Sequence, residues 1–280
     1  MNFDDRNCLL EVSFTGKHEM HQNMHYDPNS QPPITMQPGV PGTQPWMQAP
    51  QVPIGCPPGL EYLTQVDQVL CHQIVELLQA FTGWESNNKY AIKNSMGQQI
   101  YYVFEETDCC MRMCCSNSRE FTLHIVNNYN QEVMRVYRPL KVCAGCCWCA
   151  GCCDCCAQET QIEAPPGVVI GRVKQTGGKC NYNYEIQDTD GNAQLRIEGP
   201  CIMCRCCSDV EFPVYTMDGA ARVGCVTKQW TGLVREAFTT ADNFGISFPM
   251  DLDVKTKATL LGAMFLIDFM AFENQPKNNN

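Results

Sequence analysis

The chain has 280 residues, a formal net charge of −10 and 21 cysteines. The acidic balance argues against a generic binder of nucleic acid or of anionic bilayers, because phosphate attracts clustered Lys and Arg. So many cysteines behind the start MNFDDRNCLLEV, which holds acid and no long apolar run, argue against a disulfide-stapled secreted domain. Asn2 after Met1 removes N-myristoylation, so a cytosolic protein is expected, with thiols serving as metal ligands, acylation sites or buried groups.

Residues 1–58 read as a disordered Pro/Gln-rich arm. From Pro28 to Leu60 there is no charged residue, and the composition cannot bury enough apolar area to offset backbone entropy. PGVP (38–41) and PQVP (50–53) are minimal PxxP segments, read as spacer or as a docking strip for proline-motif-binding partners over 38–53. Order is expected from residue 59 to 273, followed by a disordered tail over 274–280. In LEYLTQVDQVLCHQIVELLQAF, Leu60, Leu63, Val66, Val69 or Leu70, Ile74, Leu77 and Phe81 predict one amphipathic helix, stopped at Gly83.

A repeated pattern follows. YAIKNSMGQQIYYVF, FTLHIVNNYNQEVMRV, YEIQDTDGNAQLRI and VEFPVYTMDGAARVGCV each read as strand, tight turn, strand. Their turn centres, Met96–Gly97, Asn128–Asn130, Asp190–Gly191 and Asp218–Gly219, hold residues that tolerate positive φ. APPGVVIGRVKQ adds a strand after a proline turn. Regular hairpins predict an antiparallel sandwich or closed barrel. The apolar run Ala258–Phe272, broken by Asp268, is shorter than the roughly 20 residues a span needs. A helix apolar all round can instead fill a barrel, with Asp268 held by hydrogen bonds near one mouth.

Several segments in order, PPGLEYL, TGWESNNKYAIKNSMGQ, ETDCCMRMCC, QIEAPPGVVIG, GPCIMCRCCSDVEF, TKQWTGLVREAFTTADNFGISFPMDLDVK and FLIDFMAFE, resemble the phospholipid scramblases over residues 57–273. The resemblance implies a tubby-like fold, in which about twelve antiparallel strands close around a buried C-terminal helix. It also implies calcium-activated, ATP-independent, bidirectional movement of phospholipids, together with palmitoylation and partner binding.

VCAGCCWCAGCCDCCAQE carries Cys143, Cys146, Cys147, Cys149, Cys152, Cys153, Cys155 and Cys156. CCDCC aligns with the family's acylated motif, with Asp154 in place of its proline. Small Ala and Gly neighbours supply the flexibility that a thioester site needs. Two or more acyl chains anchor a protein stably where one does not. The CxxC pairs Cys143–Cys146 and Cys149–Cys152 also fit zinc, and buried thiols are a third reading.

TADNFGISFPMD (240–251) aligns with the family's calcium-binding stretch. As a twelve-residue loop its ligand positions are Thr240, Asp242, Phe244, Ile246, Phe248 and Asp251, with Gly245 on the turn. Only two carboxylates fall on ligand positions, so low affinity is expected. VTKQWTG (226–232) aligns with the family's nuclear-import segment but holds one base, Lys228, and reads as a strand.

The sequence shows no nucleophile–base pair and no phosphate-cradling loop. With that, the resemblance implies as leading reading lipid movement without covalent chemistry, by a protein acylated on the cytoplasmic face of the plasma membrane and nuclear when not acylated. Its partners are the phospholipid bilayer and further copies of the chain, with nucleic acid disfavoured. A palmitoylated interaction module and a zinc-binding regulator are the rival readings.

Overall fold

The computed structural model describes residues 45–74, 87–108, 119–141, 155–177, 181–201, 209–229 and 243–273. After a 3-10 turn at Glu61–Gln65 come β1 (Gln68–Gln73), β2 (Lys89–Asn94), β3 (Gln99–Glu106), β4 (Phe121–Val126), β5 (Glu132–Arg138) and β6 (Glu159–Glu163). β7 (Val169–Thr176), β8 (Asn183–Gln187), β9 (Ala193–Ile197), β10 (Val210–Thr216), β11 (Arg222–Gln229), β12 (Asn243–Ser247) and the helix α1 (Val254–Ala271) complete the fold. Each strand pairs antiparallel with its neighbours in sequence, and β12 returns to β1 to close a barrel. This is the mainly β, tubby-like architecture expected above.

The hairpins form where the turn residues permit them. Gly97, Asn130, Gly191 and Gly219 hold φ of 78°, 57°, 84° and 73°, the region that tight connections between twisted strands require. Along each strand the side chains alternate. In β4, Phe121, Leu123 and Ile125 point into the core, while Thr122 and His124 are less buried.

Inside the barrel lies α1, buried at every residue from Lys257 to Ala271. Its sequence is apolar on all sides because strands surround it on all sides. Phe269 stacks on Phe121 with ring centroids 4.0 Å apart, and Phe265 meets Tyr90 edge-on at 5.2 Å. Gly262 lets the helix approach β6, since a methyl group there would sit 2.6 Å from Ile162 Cγ1. Among the described residues, no helix is long and apolar enough to cross a membrane.

Two expectations are corrected. The single amphipathic helix from Leu60 is replaced by the 3-10 turn and by β1, with residues 75–86 outside the described set. The reason is closure. β1 satisfies the open edges of both β2 and β12, and it turns Val69 and Cys71 inward at period two. Order also begins before residue 59. Met47 N–H donates to the Gln99 carbonyl at 2.8 Å, Gln99 N–H donates to the Pro45 carbonyl at 3.0 Å, and Met47, Ala49 and Cys56 pack against the core. Apolar side chains scattered among the prolines thus find burial that composition alone does not reveal.

Candidate functional site

Strict antiparallel order sorts the connections between two mouths. The five tight hairpins, which join β2–β3, β4–β5, β6–β7, β8–β9 and β10–β11, all lie at one mouth, together with the link from β12 into α1. The remaining connections start and end at the other mouth, where α1 also ends.

This alternation sorts the cysteines as well. The β3–β4, β5–β6, β7–β8 and β9–β10 segments contain four, eight, one and four of them, 17 of the chain's 21, and all four segments begin and end at the long-connection mouth. The five hairpin turns contain none. Of the predicted acylation set, Cys143, Cys146, Cys147, Cys149, Cys152 and Cys153 lie outside the described residues. Cys155 is exposed and Cys156 is buried at 6 % exposure, with the two sulfurs 3.8 Å apart. Cys156 is therefore covered as the chain approaches β6, and Cys155 is the described member of the cluster presented outward.

The stretch 240–251 is not one loop. Thr240 and Asp242 lie outside the described residues, while Phe244 and Ile246 sit within β12 and pair with β1 and β11 on either side. Phe248 and Asp251 follow at the hairpin mouth. The Phe244 ring meets Phe272, past the end of α1, at 5.6 Å, whereas the Phe248 ring lies 4.9 Å from Lys257 Nζ near the start of α1. An extended strand of this length separates those positions by more than the roughly 2.5 Å calcium–oxygen distance allows. The described members of the set thus do not converge on one point. The described residues hold no group of three or more His, Cys, Asp or Glu arranged for a metal. Val226–Gln229 of the nuclear-import alignment form the end of β11, with Lys228 Nζ 4.3 Å from the Phe272 ring centroid.

The Ala258–Phe272 run was legible as a buried element. Of its anchors, only Asp268 was. At the long-connection mouth Asp268, 3 % exposed, accepts a hydrogen bond from Tyr90 Oη at 2.8 Å, which is the expected placement near a mouth. Beside it the Arg119 guanidinium donates to Glu105 at 2.8 and 3.1 Å and to Glu273 at 3.0 and 2.5 Å, and it lies 4.7 Å over Phe269. Asn88 Nδ2 donates to Glu273 at 2.8 Å. Burial opposes the Arg119 charge, but the bonds to Glu105 and Glu273 outweigh it and raise its pKa. Arg138, buried and bonded to Gln158 Oε1 at 3.1 and 2.8 Å, is lowered to about 10 by burial and by Arg119.

At the hairpin mouth Lys257 Nζ donates to the carbonyls of Leu63, Val66 and Met250 at 3.0, 2.9 and 2.8 Å, and burial lowers its pKa. Asp253 caps α1, accepting from Thr256 N–H at 3.1 Å. Charged clamps thus hold the helix at both ends. The available signal was Lys257 and Glu273, the charges flanking the apolar run.

A twelve-strand antiparallel barrel closed around a buried C-terminal helix defines the class, and the comparisons with known proteins agree. The scramblase family pattern matches residues 47–274, and this chain belongs to that family. Phospholipid scramblase 1 of Rattus norvegicus is 55 % identical over 241 residues, covering 86 % of this chain and 70 % of the relative. Phospholipid scramblase 1 of Homo sapiens is 55 % identical over 230 residues, 82 % of this chain and 70 % of the relative. Phospholipid scramblase 4 of Homo sapiens is 41 % identical over 249 residues, 89 % and 71 % of the respective chains. No solved structure matches.

Proposed function

We propose that this protein moves phospholipids between bilayer leaflets in both directions, activated by calcium and independent of ATP. The observation that carries the reading is similarity to proteins named phospholipid scramblase over the whole barrel, buried helix included. No covalent step is involved. Only the cost of moving a head group through hydrocarbon has to fall. The structure constrains the route. α1 fills the lumen, with Leu260, Met264, Phe265 and Ile267 at 0 % exposure, so lipid does not pass through the barrel. The protein acts from outside, by deforming the bilayer or through an assembly of copies. Resemblance supports calcium as the trigger, and the strand geometry of β12 limits any site to part of 240–251.

Acylation of the cluster from Cys143 to Cys155 holds the barrel on the cytoplasmic face of the plasma membrane, with zinc on the same cysteines as the rival chemistry. The filled lumen favours one second reading, an acylated interaction module whose PQVP segment, exposed over residues 51–53, meets proline-binding partners. The experiment is reconstitution of the purified chain in liposomes carrying labelled phospholipid. Calcium-dependent transfer between leaflets is expected. Transfer no faster than in protein-free liposomes, with and without calcium, sinks the transport reading and leaves the module.

A further inference from the structure

The hairpin mouth is apolar where turns are ordinarily polar. Tight turns favour Gly, Asn, Asp and Ser. Here the β2–β3 turn exposes Met96 at 76 %, the β4–β5 turn exposes Tyr129, the β10–β11 turn exposes Met217, Val168 stands at the end of the β6–β7 turn, and Met250 stands on the link into α1. In ring order these are five of the six connections at this mouth. The sixth, the β8–β9 turn, has the exposed Asp190 instead. The segment between Met47 and Gly59 is fixed at both ends to the same mouth, through Gln99 and through Tyr101 Oη on the Gly59 carbonyl, and it raises a fully exposed Ile54 on its own turn. Of the nine large apolar side chains exposed among the described residues, seven belong to this end of the molecule. Ile74 and Leu140 flank the other mouth, and the interior of no strand exposes one.

Scattered exposed apolar residues are ordinary, but a ring of them confined to turn tips is not. Separate tips around a closed rim do not merge into the single packed anchor that a protein partner offers. They suit a plane into which each tip dips on its own. The exposed charges of the rim lean acidic, with Asp67, Asp190, Asp218, Asp251 and Asp253 against Arg222 and Lys255. Such a rim gains nothing from an anionic surface.

We infer that the hairpin mouth is a lipid-docking rim that inserts Ile54, Met96, Tyr129, Val168, Met217 and Met250 shallowly into a zwitterionic phospholipid surface. The choice of a bilayer as occupant rests on the scramblase reading. The rim lies at the opposite end of the strands from the described Cys155 and Cys156.

The test uses the full chain purified without acylation and phosphatidylcholine vesicles. Co-flotation is expected to persist in high salt and to fall about tenfold or more when the six residues are replaced together by Ser, with the melting transition retained. Met96→Trp is expected to be quenched by brominated phosphatidylcholine, and Glu185→Trp on the barrel wall is not. Unchanged flotation of the six-residue variant, or equal quenching at both positions, overturns the rim. A change in oligomeric state caused by the six substitutions also overturns it, by assigning the face to a second copy. The two readings fail separately. Rim-dependent flotation without lipid transfer in liposomes removes the transport function alone, and transfer with unchanged flotation removes the rim alone.

Discussion

The two mouths of this barrel are built from the same strands and differ in almost everything else. One is closed by five short hairpins, has no cysteine in its turns, and presents apolar tips with exposed acids between them. The other is where the cysteine-containing segments leave and re-enter the strands, and it is sealed by a buried ion network around Arg119. The helix links them, held by Lys257 at the hairpin end and by Tyr90, Arg119 and Asn88 at the other. The lesson is that antiparallel alternation separates functions in space. Every even-to-odd connection belongs to one mouth and every odd-to-even connection to the other. Residues scattered over 100 positions of sequence are thereby sorted to two ends.

The harshest way to break the comparison is to remove what the mouths share. Truncation after Lys257 empties the lumen, and each large side chain lost from it costs about 2–5 kcal/mol, against a total stability of roughly 5–15 kcal/mol. Loss of the cooperative thermal transition and of native circular dichroism is expected. A truncated chain that melts cooperatively would show that the strands close without the helix.

Next in size is anchoring. Replacing Cys143, Cys146, Cys147, Cys149, Cys152, Cys153 and Cys155 by Ser, and leaving the buried Cys156 in place, is expected to move the protein from the membrane fraction to cytosol and nucleus. Persistence through alkaline extraction would assign the hold to something other than acyl chains.

A third test sets the buried Arg119 network against an exposed ion pair on the barrel wall. Arg119→Leu leaves Glu105, whose side chain is fully buried, without its partner, and a loss of about 3–5 kcal/mol in chemical denaturation is expected. Arg222→Leu removes an exposed pair with Glu211, and a loss of about 1 kcal/mol or less is expected. Similar losses would mean that the Arg119 network is solvated and does not seal its mouth.

The smallest effect is a difference in the sign of pH dependence. Backbone and side-chain hydrogen bonds from Asn192 lower the Asp188 carboxyl, and the Thr216 hydroxyl lowers Asp218. Their folded pKa values lie below 3.8, so their contribution is present above that value and is lost as pH falls through the folded pKa. Glu273 is raised above 4.5 by burial, even beside Arg119. Its folded form takes up a proton first, so its contribution declines as pH rises from 4.5 through the raised value. Carboxyl titration by nuclear magnetic resonance should place Asp188 and Asp218 below Glu273. The reverse order would remove this contrast.

The amino-acid sequence by itself determined the local elements. Period-two alternation around Asn, Asp and Gly turns specifies four of the five hairpins, because strand pleat and turn geometry depend on residues only a few positions apart, while the proline turn at Ala164–Gly167 showed β7 but not its partner β6. The uniform apolarity of Ala258–Phe272 likewise specifies a helix surrounded on all sides. What tertiary structure alone decided was whatever required closure. Leu60 to Phe81 shows helical spacing, yet Gln68–Gln73 became β1 because two distant edges needed pairing. Residues 240–251 matched a loop pattern, yet Asn243–Ser247 became the strand between β11 and β1. Arg119, Glu105, Asn88 and Glu273 are separated by up to 185 positions in the chain and meet only when the barrel shuts over the end of α1. Placing the apolar tips at one mouth, and the ends of all four cysteine-containing segments at the other, has the same origin. Hydrogen bonds between strands are non-local, and no window of sequence records which end of a closed barrel a connection will reach.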